Sequence, residues 1–360
     1  MRSTSSPALL ILASALGLAP AAPCSAQSLT IVTGATLTGV SDRGDRCSGT
    51  QRQAARWSQS SGFDVFGSEG GFRPFNIGEA ISGNGLVVAG IEMDGSHPDV
   101  AYRWSGPGTH ETLGRLSSYE LIRVHDTDRT GSVIVGHSEG NLGQIAQAWV
   151  WTERRGLRGI GQTRPGGARS TARGVSSDGN VVVGVGAAGQ VEDAFAWTQE
   201  RGMQILPPSA GATGGEANAA NADGSVIVGS SGISTTACVW RNGQVQLLAR
   251  PSDYLFSYAT SVSDDGSIIV GLGDTGPGGP RAFVWRGDGQ PRPLADYLAD
   301  YGITLPEGVN LRGHLETLRV SGDGRTFIGE VSTGGYFVAT IPSPHTTFAL
   351  LGVLAIRRRR

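Results

Sequence analysis

Short apolar runs, each preceded by one glycine and closed by another, return at intervals along this chain. The clearest lies in residues 172–184, ARGVSSDGNVVVG, where Val181, Val182 and Val183 follow Asp178-Gly179. A β-branched run this short predicts a strand buried on both faces. The Asp-Gly pair before it predicts a tight hairpin turn with left-handed backbone angles. The arrangement returns at Asp223-Gly224, Asp265-Gly266 and Asp323-Gly324, with weaker copies around Gly44, Gly85 and Gly131. In all seven copies a second glycine stands five residues after the first: Gly49, Gly90, Gly136, Gly184, Gly229, Gly271 and Gly329.

A second run follows in each repeat, with Ala at its start and Trp at its end in most copies. Examples are Ala101–Trp104, Ala148–Trp151, Ala194–Trp197, Ala237–Trp240 and Ala282–Trp285. Another apolar residue stands nine positions beyond most of these tryptophans, as at Phe66, Leu113, Ile160 and Leu206. Turn pairs such as Asn242-Gly243 and Asp288-Gly289 lie between. Each repeat therefore reads as strands a, b, c and d. A period near 45 residues with several short strands predicts an all-β fold, a seven-bladed β-propeller of four-stranded antiparallel blades over residues 27–341. Hexapeptide and nonapeptide β-helices are excluded by that period. The last repeat stops after its c strand, at Thr340, and Leu29–Val32 is a spare strand ahead of the first. It is expected to complete the seventh blade as the outer strand and so close the ring. The last spacing is the longest and contains Leu294, Tyr297, Leu298 and Tyr301 before Gly302, a short amphipathic helix expected to fill a groove at the ring edge.

Composition sharpens this picture in three places. Gly is 56 of 360 residues, about twice the ~7% average, and its phasing marks turns where an unphased excess would suggest disorder. A formal net charge of −2 gives no electrostatic reason to expect nucleic acid. Residues 1–26 combine Arg2, an Ala/Leu-rich middle and small residues before Gln27, which reads as a signal peptide of an exported protein. Beyond it only Cys47 and Cys238 remain, in different repeats, so a bridge is open but not implied.

The repeated units VSSDGNVVVG…AFAWT, NADGSVIVG…ACVW and VSDDGSIIVG…AFVW resemble HAF-type repeats of bacterial extracellular proteins, over nearly all of residues 39–341. That resemblance implies a secreted propeller-like array and no particular reaction. At the other end, Pro342-Ser343-Pro344, the apolar stretch 348–356 and Arg357, Arg358, Arg359 and Arg360 resemble a PEP-CTERM sorting tail, here residues 342–360. The resemblance implies a tail held transiently at the inner membrane, processing by an exosortase-type protease, and release to the cell surface or matrix of bacteria that make extracellular polysaccharide.

Three motifs suggest chemistry, and each has a plainer explanation. Gly136-His137-Ser138-Glu139-Gly140 matches a nucleophile elbow, which needs a strained strand-to-helix turn; here Gly136 is already the fixed second glycine of its repeat. Gly184–Gly189 matches a dinucleotide fingerprint, but a strand is expected after it and no acidic residue stands at the required offset. Glu92, Asp94, His97 and Asp99 crowd one loop and are the only weak metal candidates, without an EF-hand or zincin spacing. No cofactor is expected.

In an antiparallel a-b-c-d blade, the b–c loops and d–a connections share one face. That face carries the long, varied segments, 92–99, 162–171, 207–218 and 274–281, and is expected to hold any ligand site. The expected function is a non-enzymatic, exported binding or structural module for polysaccharide or a surface protein. The alternative is a propeller hydrolase or lyase acting on polysaccharide. That enzyme would need paired carboxylates at the central mouth, and the inner strands read as mostly Val, Ala, Ser and Gly.

Overall fold

The computed structural model describes residues 27–66, 75–116, 119, 121–140, 145–232, 235–250, 254–274, 279–286 and 290–343. The leader at 1–26, the turn pair Asp288-Gly289, and Pro344 with Arg357, Arg358, Arg359 and Arg360 of the tail lie outside the described residues. Residues 27–341 form one compact unit.

That unit is all-β and almost wholly antiparallel, with one six-residue helix among the described residues, Leu294–Ala299. Among the described residues the strands form six hydrogen-bonded sheets: four of four strands, one of eight and one of five. The eight-stranded sheet is two repeats joined by a single parallel bridge, Ala146 to Arg169. Each repeat runs a-b-c-d, as in Phe256–Val262, Ile268–Asp274, Arg281–Arg286 and Arg292–Pro293. The last sheet takes its outer strand from the other end of the chain. Ser28–Val32 pairs antiparallel with Tyr336–Thr340, from Ser28 opposite Thr340 to Val32 opposite Tyr336.

The a–b connections are wider than a two-residue hairpin. In repeat four they run from Ser176 to Val181, and only Gly179 is left-handed, with φ +76°. Asp178 stays in the ordinary region and uses Oδ1 to accept from Ser176 Oγ (2.5 Å) and the Asn180 N–H (3.0 Å). The expectation of left-handed angles thus holds for the glycine alone. The residue three before the glycine caps the turn in all seven repeats. Ser41, Ser82, Asp128, Ser176, Asn221, Ser263 and Ser321 each accept, through a side-chain oxygen, the N–H five residues on, at 2.9–3.2 Å. These turns also bond to one another. The N–H of Asp42 donates to Gly83 O (2.8 Å), Asn84 to Arg129 O (2.8 Å) and Arg129 to Ser177 O (2.9 Å). Asp178 donates to Ala222 O (3.0 Å), Ala222 to Asp264 O (3.2 Å), Asp264 to Gly322 O (2.8 Å), and Asp323 back to Asp42 O (2.8 Å).

Apolar side chains pack between consecutive sheets. Val150 and Val135 of repeat three meet Ala172, Val182, Phe195 and Trp197 of repeat four. Val32, Ile328 and Val338 of the last sheet meet Leu37, Cys47 and Trp57 of the first. Tryptophans of the c strands are the bulk of these layers; Trp104, Trp240 and Trp285 are fully buried. Cys47 and Cys238 are buried free thiols in different sheets, with no bridge between them. The helix buries Leu294, Tyr297 and Leu298, with Tyr297 edge-on to Phe327, and Gly302 follows at φ +75°. It is therefore a packing helix, as expected. The long last repeat holds a second interruption. Residues 313–318 loop out of its inner strand and split it into Leu311–Arg312 and Arg319–Val320. No helix among the described residues is long and apolar enough to cross a membrane.

Candidate functional site

The second glycine of each repeat is what shapes the inner strand. A Cβ on Gly90, Gly136, Gly229 or Gly271 would lie 1.9 Å from a carbonyl oxygen of the neighbouring a strand, and one on Gly49 or Gly184 would lie 2.0 Å from it. Only glycine admits so close a backbone. Opposite this contact the a strand slips register by one residue: between Leu37 and Gly39, Gly78 and Ala80, Val124 and Asp126, Ala172 and Gly174, Ala217 and Ala219, and Ala259 and Ser261. A bulge re-aims the extra residue. Those extra residues are Thr38, Glu79, His125, Arg173, Asn218 and Thr260.

Each reaches, directly or through its neighbour, to the next repeat. Thr38 Oγ1 donates to Gly78 O (3.1 Å), Asn218 Nδ2 to Ala259 O (2.8 Å) and Thr260 Oγ1 to Leu318 O (2.9 Å). Glu79 Oε2 accepts from Val124 N–H (2.9 Å), and Asp126 Oδ2, beside His125, accepts from Val175 N–H (2.9 Å). Arg173 donates to Glu216 Oε2 and Asn218 Oδ1, both at 2.7 Å.

A cavity of about 250 Å³ lies among these strands, lined by Glu79, Arg123, His125, His137, Glu139, Glu316 and Arg319. His125 Nε2 is 2.8 Å from His137 Nδ1, and His137 Nε2 is 2.7 Å from Glu139 Oε1. Removal from water pushes the His125 imidazole well down, and His137, Arg173, Arg319 and Arg123 reinforce the shift. Removal from water also lowers His137, against the opposing bond and charge of Glu139. Burial favours the neutral form of both rings, a state in which His125, His137 and Glu139 can form a hydrogen-bonded relay. Removal from water pushes Glu79 up to about 7, against the bond from Val124 N–H and the charge of Arg123. Asp126 is pushed up to about 6 for the same reason, against bonds from the Val175 and Thr127 N–H groups.

Toward the a–b turns a smaller hollow of about 100 Å³ is spanned by an ion-paired bridge. Arg129 pairs with Asp42 (2.8 Å) and Asp264 (2.6 Å), and Ser177 Oγ donates to Asp264 Oδ1 (2.7 Å). Gly83 and Gly322 leave room for the two carboxylates: a Cβ on either would fall within 2.4–2.8 Å of one of them. Asp42 is pushed up to about 6 by burial and then by Asp264, with Arg129 opposing.

The weak metal candidates do not converge. Glu92 is buried and pairs with His110, outside the quartet. Asp94 accepts from the Ser96 and His97 N–H groups, which hold its carboxyl well below the usual range, and its Oδ2 is 2.8 Å from His97 Nδ1. Among the described residues no group of three or more His, Cys, Asp or Glu is placed to hold a metal ion. The Gly-His-Ser-Glu-Gly motif ends strand Val133–Glu139, the next described element is strand Ala146–Thr152, and the Ser138 side chain is fully buried. Its histidine and glutamate belong to the relay instead. Gly184, Val185 and Gly186 likewise lie in strand Val182–Ala188. Asp223-Gly224, Asp265-Gly266 and Asp323-Gly324 are turns, each glycine left-handed. The end of the sheets where strands a and c begin exposes large apolar side chains: Phe75 (62%), Leu121, Ile145 and Leu255 (67%). The loops of residues 92–99, 162–171 and 207–218 lie at that end, and 275–278 of the fourth lie outside the described residues.

No protein-family model and no curated protein matches the chain. Among solved structures the chain is similar to a putative TolB from Agrobacterium tumefaciens, at TM-score 0.48 and 18% identity over 74% of this chain and 89% of that one. It is also similar to TolB from Acinetobacter baumannii, at TM-score 0.48 and 12% identity over 88% of this chain and 80% of that one. At such values the assignment of this chain rests on its own geometry.

Proposed function

We propose that this chain is a closed seven-bladed β-propeller and an exported, non-enzymatic binding module. Closure is supported by the run of turn-to-turn hydrogen bonds that returns from Asp323 to Asp42, and by the pairing of residues 28–32 with 336–340. In this reading the Arg129 bridge seals one mouth of the axis, and the b–c/d–a face meets the ligand, a polysaccharide or a surface protein. The observation offered for the binding role is the exposure of Phe75, Leu121, Ile145 and Leu255 on that face, against Leu86 at the turn end. Two carboxyls at the inner strands read as structural. Glu79 and Asp126 are held by backbone N–H groups of the next repeat and act as struts. Residues 1–26 serve as the export signal, and residues 342–360 as a tail handled by an exosortase-type protease, on the strength of their sequence.

The test is a combined Phe75→Ser, Leu121→Ser and Leu255→Ser variant of the exported protein. Retention at the cell surface is expected to fall severalfold with the fold intact by circular dichroism. Undiminished retention would refute the face assignment. Mass spectrometry of the mature C-terminus tests the tail; an intact Arg360 in the released protein would refute processing.

A further inference from the structure

The cavity of about 250 Å³ among the inner strands carries groups of both charges, and one of them stands apart. Arg129, Arg164 and Arg173 each pair with a carboxylate, at 2.5–2.8 Å. Arg319, in the cavity wall, donates to Leu318 O at 3.3 Å. Arg123 also lines the cavity and is half-buried, yet its guanidinium has no hydrogen bond or ion pair with any described residue. It lies near the start of strand Leu121–Thr127, on the b–c/d–a side. Two other wall residues meet water: Glu316 is exposed, and the Glu139 side chain is 31% exposed. The cavity is therefore reachable from solvent.

The acids of the wall do not cancel Arg123. Glu79, pushed up to about 7 by burial, carries little charge at pH 6. Glu139 is already engaged through Oε1, 2.7 Å from His137 Nε2. Beyond burial and His137, the charges that lower His125 are those of Arg173, Arg319 and Arg123, so the field at that wall is positive.

We propose that this cavity binds the carboxylate of a hydroxylated organic acid, a uronate sugar, with Arg123 as its anchor. A guanidinium and a carboxylate meet through two parallel N–H···O bonds. A pair drawn out of water is screened little by salt. The sugar hydroxyls can donate to Glu139 and Glu316, which are acceptors when ionised. The same two carboxylates would repel a sulfate or phosphate dianion, so the wall favours a single negative charge surrounded by hydroxyls. The inference rests on the b–c/d–a face being the binding face, and narrows the saccharide of that reading to an acidic one.

The experiment is calorimetric titration of the exported protein at pH 6 with glucuronate, galacturonate and mannuronate, each beside its neutral parent sugar. At least one uronate is expected to bind, at least tenfold more tightly than its parent and than acetate. A trisaccharide of that uronate separates the two sources of the ligand: tighter binding than the free acid means a polymer is held, weaker binding a free sugar acid, and both keep the carboxylate site. Arg123→Ala is expected to weaken binding at least tenfold, the loss of a charge-assisted contact. Arg123→Lys keeps the charge without the fork and should lose less. Arg123 has no partner in the fold, so the urea midpoints of both variants should match the native protein; should Arg123→Ala not fold, a severalfold loss in Arg123→Lys decides. Binding of no uronate, a parent sugar bound as tightly, or unchanged affinity in the variants would overturn the proposal. The surface-retention test substitutes Phe75, Leu121 and Leu255, none of which lines this cavity, so either idea can fail alone.

Discussion

Glu79→Gln is the perturbation whose size the structure fixes best. Glu79 faces the cavity, deep among protein atoms, and its carboxyl is pushed up to about 7 from 4.5. The fold therefore favours the protonated acid. Its contribution to stability is full below about pH 4.5 and is lost as pH rises through 7. The shift corresponds to about 3 kcal/mol, an upper figure because water in a cavity of about 250 Å³ relieves part of it. Glutamine is isosteric with the neutral acid, and its amide oxygen can still accept from Val124 N–H. At pH 5 the variant and the native protein are expected to be nearly equal. At pH 8 the variant should be more stable by about 2 kcal/mol, close to 1 M in urea midpoint for a slope of ~2–3 kcal/mol/M. Asp126, raised in the same sense, remains in both proteins, so the variant keeps a shallower pH slope. Urea unfolding followed by tryptophan fluorescence at pH 5, 6.5 and 8 is the assay. A variant less stable than the native protein at pH 8, or an offset that ignores pH, would refute the reasoning and mean that Glu79 is ionised in the fold.

Other substitutions follow from single contacts. Gly229→Ala puts a methyl 1.9 Å from Glu216 O, and should lower stability by at least about 2 kcal/mol in urea. Arg129→Ala leaves Asp42 and Asp264 facing each other, and should cost about 1–2 kcal/mol at pH 7.5. That loss should shrink at pH 5, where Asp42, raised to about 6, is protonated; an undiminished loss at pH 5 would count against the bridge.

Much of the fold was legible because glycine positions cannot drift. In the first six repeats a Cβ on the second glycine would lie about 2 Å from a carbonyl oxygen of the a strand, and on Gly329 it would lie 2.7 Å from the Phe337 ring, so the five-residue offset survives. The spare strand at residues 29–32 and the helix near 294 were legible for a related reason: each is the one apolar segment that could cover an unpaired edge or groove. The candidate site was much less legible. Its residues sit at a bulge, and a bulge breaks the period-two alternation by which a strand is read. Glu79, His125, Arg173 and Asn218 all stand six residues before the first glycine of their repeats. A polar residue recurring at one offset from the glycine was the available signal. The relay partners His137 and Glu139 were masked by their likeness to a nucleophile elbow. The turn type was misjudged because Asp-Gly drew attention from the capping residue three positions before the glycine.

Ring closure bears on every other claim, and one cross-link addresses it. Ser28 lies opposite Thr340 at the start of the closing pair, and both are partly exposed. In a Ser28→Cys, Thr340→Cys protein with Cys47 and Cys238 left buried, oxidation is expected to give one intramolecular disulfide joining residues 28 and 340 in the monomer, found by peptide mapping. Disulfide-linked oligomers, or two thiols that stay free under the same oxidation, would contradict a chain whose first strand completes its last sheet.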